Sequence, residues 1–153
     1  MREKLQVVAL KAEPAQDEHY VFDEQIGFLL RLALQRHTAI FGARMVEALT
    51  PTQFAAMAKL HEVGPCSQNH LGRLIYLDAA TIKGVVDRLG LRGFVTALND
   101  PTDRRRRAVA LTERGRQVTE EGWQAAMQIG TATLNPLTED ERRLLVRILK
   151  KMT

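Results

Sequence analysis

A single cysteine, Cys66, leaves no partner for an intrachain disulfide, so packing alone holds the fold. Aromatic residues are also scarce, at 5% of the chain, and the core must be built from Leu, Ala, Val and Ile. That composition suits helices packed on helices. No apolar run approaches the roughly 20 residues that span a bilayer. The stretch from Met1 to Gln16 lacks the continuous apolar segment and small-residue cleavage site of a signal peptide. These absences predict a cytoplasmic protein with no membrane partner. Paired Ser, His and Asp at catalytic spacing are missing, as are a phosphate-binding glycine loop and a metal cluster, so the sequence predicts neither an enzyme nor a cofactor.

What is present is an ordinary globular composition. Of 153 residues, 45% are hydrophobic and 26% charged, enough for one domain with a real core. The net charge is +4. A basic balance is compatible with a polyanionic partner, but where the charge sits carries more information than its sum.

Residues 1–20 read as an arm, with little periodicity and a proline at position 14. From Asp23 to about Leu49 apolar positions recur at helical spacing, with Ile26, Leu29, Leu30, Ala33, His37, Ile40 and Phe41 on one stripe. Phe28, Leu32 and Leu34 lie off that stripe, so the helix needs cover on more than one side, which points to a second subunit. Thr50-Pro51-Thr52-Gln53 is a helix start, with Thr50 as cap, Pro51 in the first turn and Gln53 completing a capping box. Phe54, Met57, Ala58 and Leu60 form the buried side of that helix, and Gly64-Pro65 ends it. Ser67 caps a short helix running to about Tyr76, with His70 in place of the Glu or Gln of a complete box. Asp78 caps a third, with Ile82, Val85, Val86 and Leu89 inward and Gly93 as a left-handed stop.

Three helices in quick succession, the last two nearly touching, form the layout of a helix-turn-helix. The period then changes. Phe94–Leu98 and Arg107–Leu111 read as strands joined by turn residues from Asn99 to Asp103, a hairpin with a charged tip. Helical spacing resumes at Thr112, with Val118, Gly122, Ala125, Ala126 and Ile129 on one face, and breaks at Asn135-Pro136. Thr138 to Glu141 is a capping box for a last helix with the stripe Leu144, Leu145, Ile148, Leu149 and Met152.

The chemistry concentrates in three places. Arg104, Arg105, Arg106 and Arg107 are consecutive at the hairpin tip and suit a phosphate backbone or a narrow minor groove, with Asp103 placed to orient a neighbouring arginine. The Asp78 helix presents Ala80, Thr81, Lys83 and Arg88 outward, small residues at its start letting it sink towards base edges. Ser67, Gln68 and Asn69 open the preceding helix, where short polar groups and free amides bind phosphate. Each has a plainer alternative: a solvated charge run, an amphipathic surface helix, simple capping. A basic module that docks on an acidic protein or a membrane surface without reading sequence is therefore the rival to a DNA-binding one.

The series Leu71–Leu77, Ala80-Thr81-Ile82, Val85-Val86-Asp87-Arg88-Leu89, Asp100-Pro101-Thr102-Asp103-Arg104-Arg105 and Val109-Ala110-Leu111-Thr112-Glu113-Arg114-Gly115 resembles the MarR family of bacterial regulators over nearly the whole chain. The resemblance implies a mainly α fold, a winged helix-turn-helix with N- and C-terminal dimerisation helices and one β-hairpin wing. It divides residues 21–153 into a winged helix-turn-helix at about 50–112 and dimerisation helices at about 21–49 and 113–153. It implies a homodimer on double-stranded DNA, with a recognition helix starting near Asp78, Asp103 and Arg105 as the wing-tip pair, and a small effector that weakens binding. Gly90 departs from the pattern and costs up to about 1 kcal/mol of helix stability, and Arg106 and Arg107 make the wing more basic than the pattern requires.

The resemblance also implies an effector pocket between the dimerisation helices and the DNA-binding lobe. It would be lined by the first helix, the Thr50 helix and the start of the Thr112 helix. Arg36, His37, Ile40, Phe54 and Met57 are the candidates; an arginine and a histidine beside apolar groups suit an aromatic carboxylate or, alternatively, a CoA thioester. His37 and Met57 are equally at home as core residues. Two further readings attach to Cys66: a redox-sensing thiol activated by the adjacent helix start, and a zinc ligand with His61 and His70, whose spacing matches no strong pattern.

Overall fold

In a computed structural model, residues 20–99 and 107–153 are described. Helix α1 spans Ile26–Arg44, α2 Pro51–Val63, α3 Gln68–Leu74 and α4 Ala79–Leu91. Strands β1 (Val95–Asn99) and β2 (Arg107–Leu111) follow, then α5 (Glu113–Thr133) and α6 (Glu139–Met152). The strands pair antiparallel, with Val95 opposite Leu111 and Asn99 opposite Arg107. The fold is mainly helical with one small sheet, a winged helix. No helix among the described residues is long and apolar enough to cross a membrane.

Local chemistry sets most of these ends. The Thr50 hydroxyl accepts from the Gln53 amide at 3.2 Å while the Gln53 side chain accepts from the Thr50 amide at 3.0 Å, the expected capping box. Thr138 and Glu141 repeat it at α6. Gly93 closes α4 at φ +74°, and the helix runs through Gly90 to Leu91 without a break. The first helix is shorter than the helical spacing from Asp23 to about Leu49 suggests. Asp23 lies in a separate 3-10 turn, and at Met45 the chain leaves the helix for a second such turn at Val46–Ala48. Glu47 and Ala48 are left-handed there, at φ 53° and 48°, so the chain swings out of α1 while Met45 and Leu49 turn back into the core. The first strand starts one residue later than its apolar run, because Phe94 is fully buried and its carbonyl accepts from the Thr112 amide at 3.0 Å. Along β1 only Val95 is buried, so the hairpin leaves the body at once instead of alternating in and out.

Helix α3 ends in a Schellman motif. The Leu77 amide donates to the Gly72 carbonyl at 2.9 Å and the Tyr76 amide to the Arg73 carbonyl at 3.4 Å. The residue between, Tyr76, is left-handed at φ 56°, a position that glycine fills without a Cβ penalty. A tyrosine there costs about 1 kcal/mol.

The core joins Phe41, Met57, Leu60, Leu71, Ile82, Leu89, Phe94, Val118 and Ile129 from most elements of the chain. Cys66 ties the wing to the α2–α3 loop through its backbone: its amide donates to the Val109 carbonyl at 3.2 Å and its carbonyl accepts from the Val109 amide at 2.8 Å. No residue of α6 is buried in the single chain, and Ile26, Leu29, Leu30, Leu32 and Leu34 of α1 stay exposed.

Candidate nucleic-acid interface

Among the described residues, the groups that the sequence singles out for nucleic acid lie at the start of α3, along the first three turns of α4 and at the start of β2. At the start of α3 the Ser67 hydroxyl accepts from the His70 amide at 3.2 Å, so Ser67 caps the helix; Gln68 is half-buried and Asn69 exposed. At the start of α4 the Asp78 carboxylate accepts twice from Thr81, from its amide at 2.8 Å and its hydroxyl at 2.7 Å. The Thr81 hydroxyl comes first among the causes that hold the Asp78 carboxyl below the usual carboxylate range, followed by the Thr81 amide. With its proton committed to Asp78, the Thr81 hydroxyl faces anything in front of α4 as an acceptor.

Ala80, Thr81, Lys83 and Arg88 are all exposed, as an outward face requires. Lys83 reaches Asp87 one turn on at 2.5 Å, which offsets part of its charge. Arg88 folds back over Gly84: a Cβ at Gly84 would lie 3.4 Å from the Arg88 Nη1. In the wing, Arg107 opens β2 exposed and opposite Asn99. Asp103, Arg104, Arg105 and Arg106 lie outside the described residues.

The candidate effector residues separate. A cavity of about 710 Å³ lies between α1 and the C-terminal part of α5, lined by Arg36, Ile40, Arg44, Met127, Gln128 and Thr131 among others. Arg36 and Ile40 thus share one cavity, but its α5 side comes from the end of that helix and not its start, and α2 gives it no residue. Arg36 donates to the Ala132 carbonyl at 3.0 Å, satisfying one of the carbonyls that a helix end leaves open. His37 shares a 2.9 Å hydrogen bond with the Thr133 hydroxyl. Met57 is fully buried core. Phe54 is half-buried against Phe41, ring centroids 6.4 Å apart, and so close to α5 that a Cβ at Gly122 would meet its ring at 2.5 Å. Packing of α2 on α5 takes these two side chains away from the cavity.

The readings built on Cys66 find no support in its surroundings. Burial pushes the thiol pKa up, the opposite of activation. His61 bonds Glu120 at 3.1 Å and meets the edge of Trp123, while His70 lies beside Arg73. Among the described residues no three His, Cys, Asp or Glu side chains converge as a metal site would need.

One cluster has no signal in the sequence. Arg92, just past α4, donates to the Glu47 carbonyl and lies 3.5 Å from its carboxylate, which Arg114 of α5 approaches at 3.6 Å. Both guanidinium groups stack on Phe94, at 4.7 Å and 5.2 Å from the ring centroid. The left-handed turn after α1 is thereby joined to the end of α4 and the start of α5. These residues are far apart in the chain, and no local pattern links them.

Known proteins share this fold. The sequence pattern of the MarR family matches residues 49–106. The HTH-type transcriptional repressor NicR of Pseudomonas putida is 39% identical over 140 residues, 91% of this chain and 89% of that protein. A probable transcriptional regulator from Pseudomonas aeruginosa shares 48% sequence identity and superposes with a TM-score of 0.82, covering 86% of this chain and 98% of that one. BpsR of Bordetella bronchiseptica, whose DNA binding is regulated by 6-hydroxynicotinic acid, shares 40% identity with a TM-score of 0.80 over 87% of this chain and 96% of its own.

Proposed function

The chain belongs to the MarR family of transcriptional regulators, and from that premise we propose that it is a repressor that leaves a pseudo-palindromic operator on binding a small aromatic acid. The observation that carries the DNA-binding half is the outward face of α4, with Ala80, Thr81, Lys83 and Arg88 exposed and the polar start of α3 packed alongside. In this reading α4 enters the major groove with Ala80, Thr81 and Lys83 towards base edges and Arg88 towards phosphate. Ser67, Gln68 and Asn69 meet the backbone, and Asp103 with Arg104 to Arg107 forms the wing in the adjacent minor groove. Residues 50–112 act as the reading head. Helices α1, α5 and α6 pair two copies so that the half-sites fall about one helical turn apart.

The effector half rests on a relative. BpsR responds to 6-hydroxynicotinic acid, which favours an aromatic carboxylate over a CoA thioester. In this chain the cavity that holds Arg36, Ile40 and Arg44 offers cationic groups to a carboxylate and apolar surface to a ring.

The test is fluorescence-anisotropy binding to the DNA upstream of the protein's own gene, with random DNA as competitor, before and after adding 6-hydroxynicotinic acid and other aromatic acids. Binding that survives the competitor and is lost with one acid is the expected result. Binding that the competitor removes equally well, at every salt concentration, would favour the basic docking module and sink the proposal.

A further inference from the structure

Tyr76 stands where the α3–α4 turn demands a left-handed residue, at φ 56°, and is 90% exposed. Either fact alone is unremarked in a turn; together they leave the side chain without a structural reason. Glycine meets the Schellman geometry with no steric penalty, and a ring left in water adds no packing to offset the strain. Strained, exposed side chains of this kind concentrate where a protein meets a ligand. Tyr76 is two residues from Asp78, the cap of α4, and so within about 8 Å of the helix start by chain length alone. Arg73, one turn earlier, is exposed as well.

We propose that Tyr76 is a DNA contact, its phenol hydroxyl donating a hydrogen bond to a backbone phosphate oxygen beside the bases that α4 faces. The contact carries no sequence information and releases no counterion, because the side chain is neutral. It adds affinity to any duplex equally and leaves the salt slope to the lysines and arginines. The inference rests on the proposed DNA-binding reading of α4.

The experiment measures anisotropy binding of the full chain to a random-sequence duplex of about 30 base pairs across a salt series. The parent is compared with Tyr76→Phe, Tyr76→Gly and Arg88→Ala. Tyr76→Phe is expected to weaken binding roughly fivefold to tenfold with the salt slope unchanged. Tyr76→Gly should weaken it at least as much while raising the thermal midpoint by roughly 2–4 °C, which rules out misfolding as the cause. Arg88→Ala should weaken binding and lower the slope by about one. If Tyr76→Phe binds like the parent while Arg88→Ala is weakened, the phosphate contact is wrong and the α4 reading stands. A parent that does not bind the duplex at low salt overturns both.

Discussion

Gly115 is the tightest of the glycines. A Cβ there would lie 1.9 Å from the Phe94 carbonyl oxygen, a backbone atom that cannot move aside without shifting the wing. The contact lets the first turn of α5 lie directly on the residue entering β1, where the Thr112 hydroxyl also donates to the Gly93 carbonyl at 2.7 Å. Gly115→Ala is expected to destabilise the protein by about 2–4 kcal/mol, as overpacking against backbone does, and urea unfolding checks it. A change under about 0.5 kcal/mol would mean that the wing and α5 separate easily. Gly122 is a softer case, since the atoms facing it belong to the Phe54 ring, which can turn. Sequence shows Gly115 as part of the family-like Leu-Thr-Glu-Arg-Gly run but not what it touches, because Phe94 reaches it only through the folded hairpin.

At the scale of the element, capping governs how α4 responds to acid. The Asp78 carboxyl is held below its ordinary range by hydrogen bonds made only in the folded helix, so the ionised form favours the fold. That contribution is complete above the ordinary carboxylate range and is lost as pH falls through the depressed folded value. Glu141, lowered by the Thr138 amide and then its hydroxyl, behaves in the same way at α6. The urea midpoint should therefore fall between about pH 5 and about pH 3. Asp78→Asn keeps an acceptor for the Thr81 amide but does not titrate, and its midpoint should fall less steeply over that window; an unchanged slope would contradict the assignment. Caps are the features most legible in the sequence. Thr50, Ser67, Asp78 and Thr138 each serve an amide three residues on, so the cap and its target stand together in the chain. The end of α1 was not legible: apolar positions recur at helical spacing to about Leu49, and only packing explains why the chain turns out at Met45 and returns.

The whole molecule leaves two helices unfinished. Ile26 and Leu34 of α1 are 66% and 64% exposed, and α6 shows Leu144, Val146, Ile148, Leu149 and Met152 to solvent. Apolar surface of that extent on two helices is the mark of an interface, and pairing with a second copy agrees with the proposed dimer. Removing residues 138–153 should leave a monomer in sedimentation equilibrium, with DNA affinity reduced because two half-sites are no longer read together. A stable dimer after truncation would assign the pairing to α1 and α5 alone.

By itself the sequence determined where most helices start, that a helix-turn-helix precedes a charged hairpin, and which family the chain resembles. These depend on residues that act on neighbours within one or two turns, so order along the chain is enough. Tertiary structure decided which distant residues meet. It set Arg36 on the carbonyl end of α5, buried Met57 away from the cavity that Arg36 and Ile40 share, and joined Glu47 to Arg92 and Arg114. It also gave Tyr76 a glycine's backbone and an open face. Such contacts follow from how helices lie against one another, which periodicity constrains to a face but not to a partner.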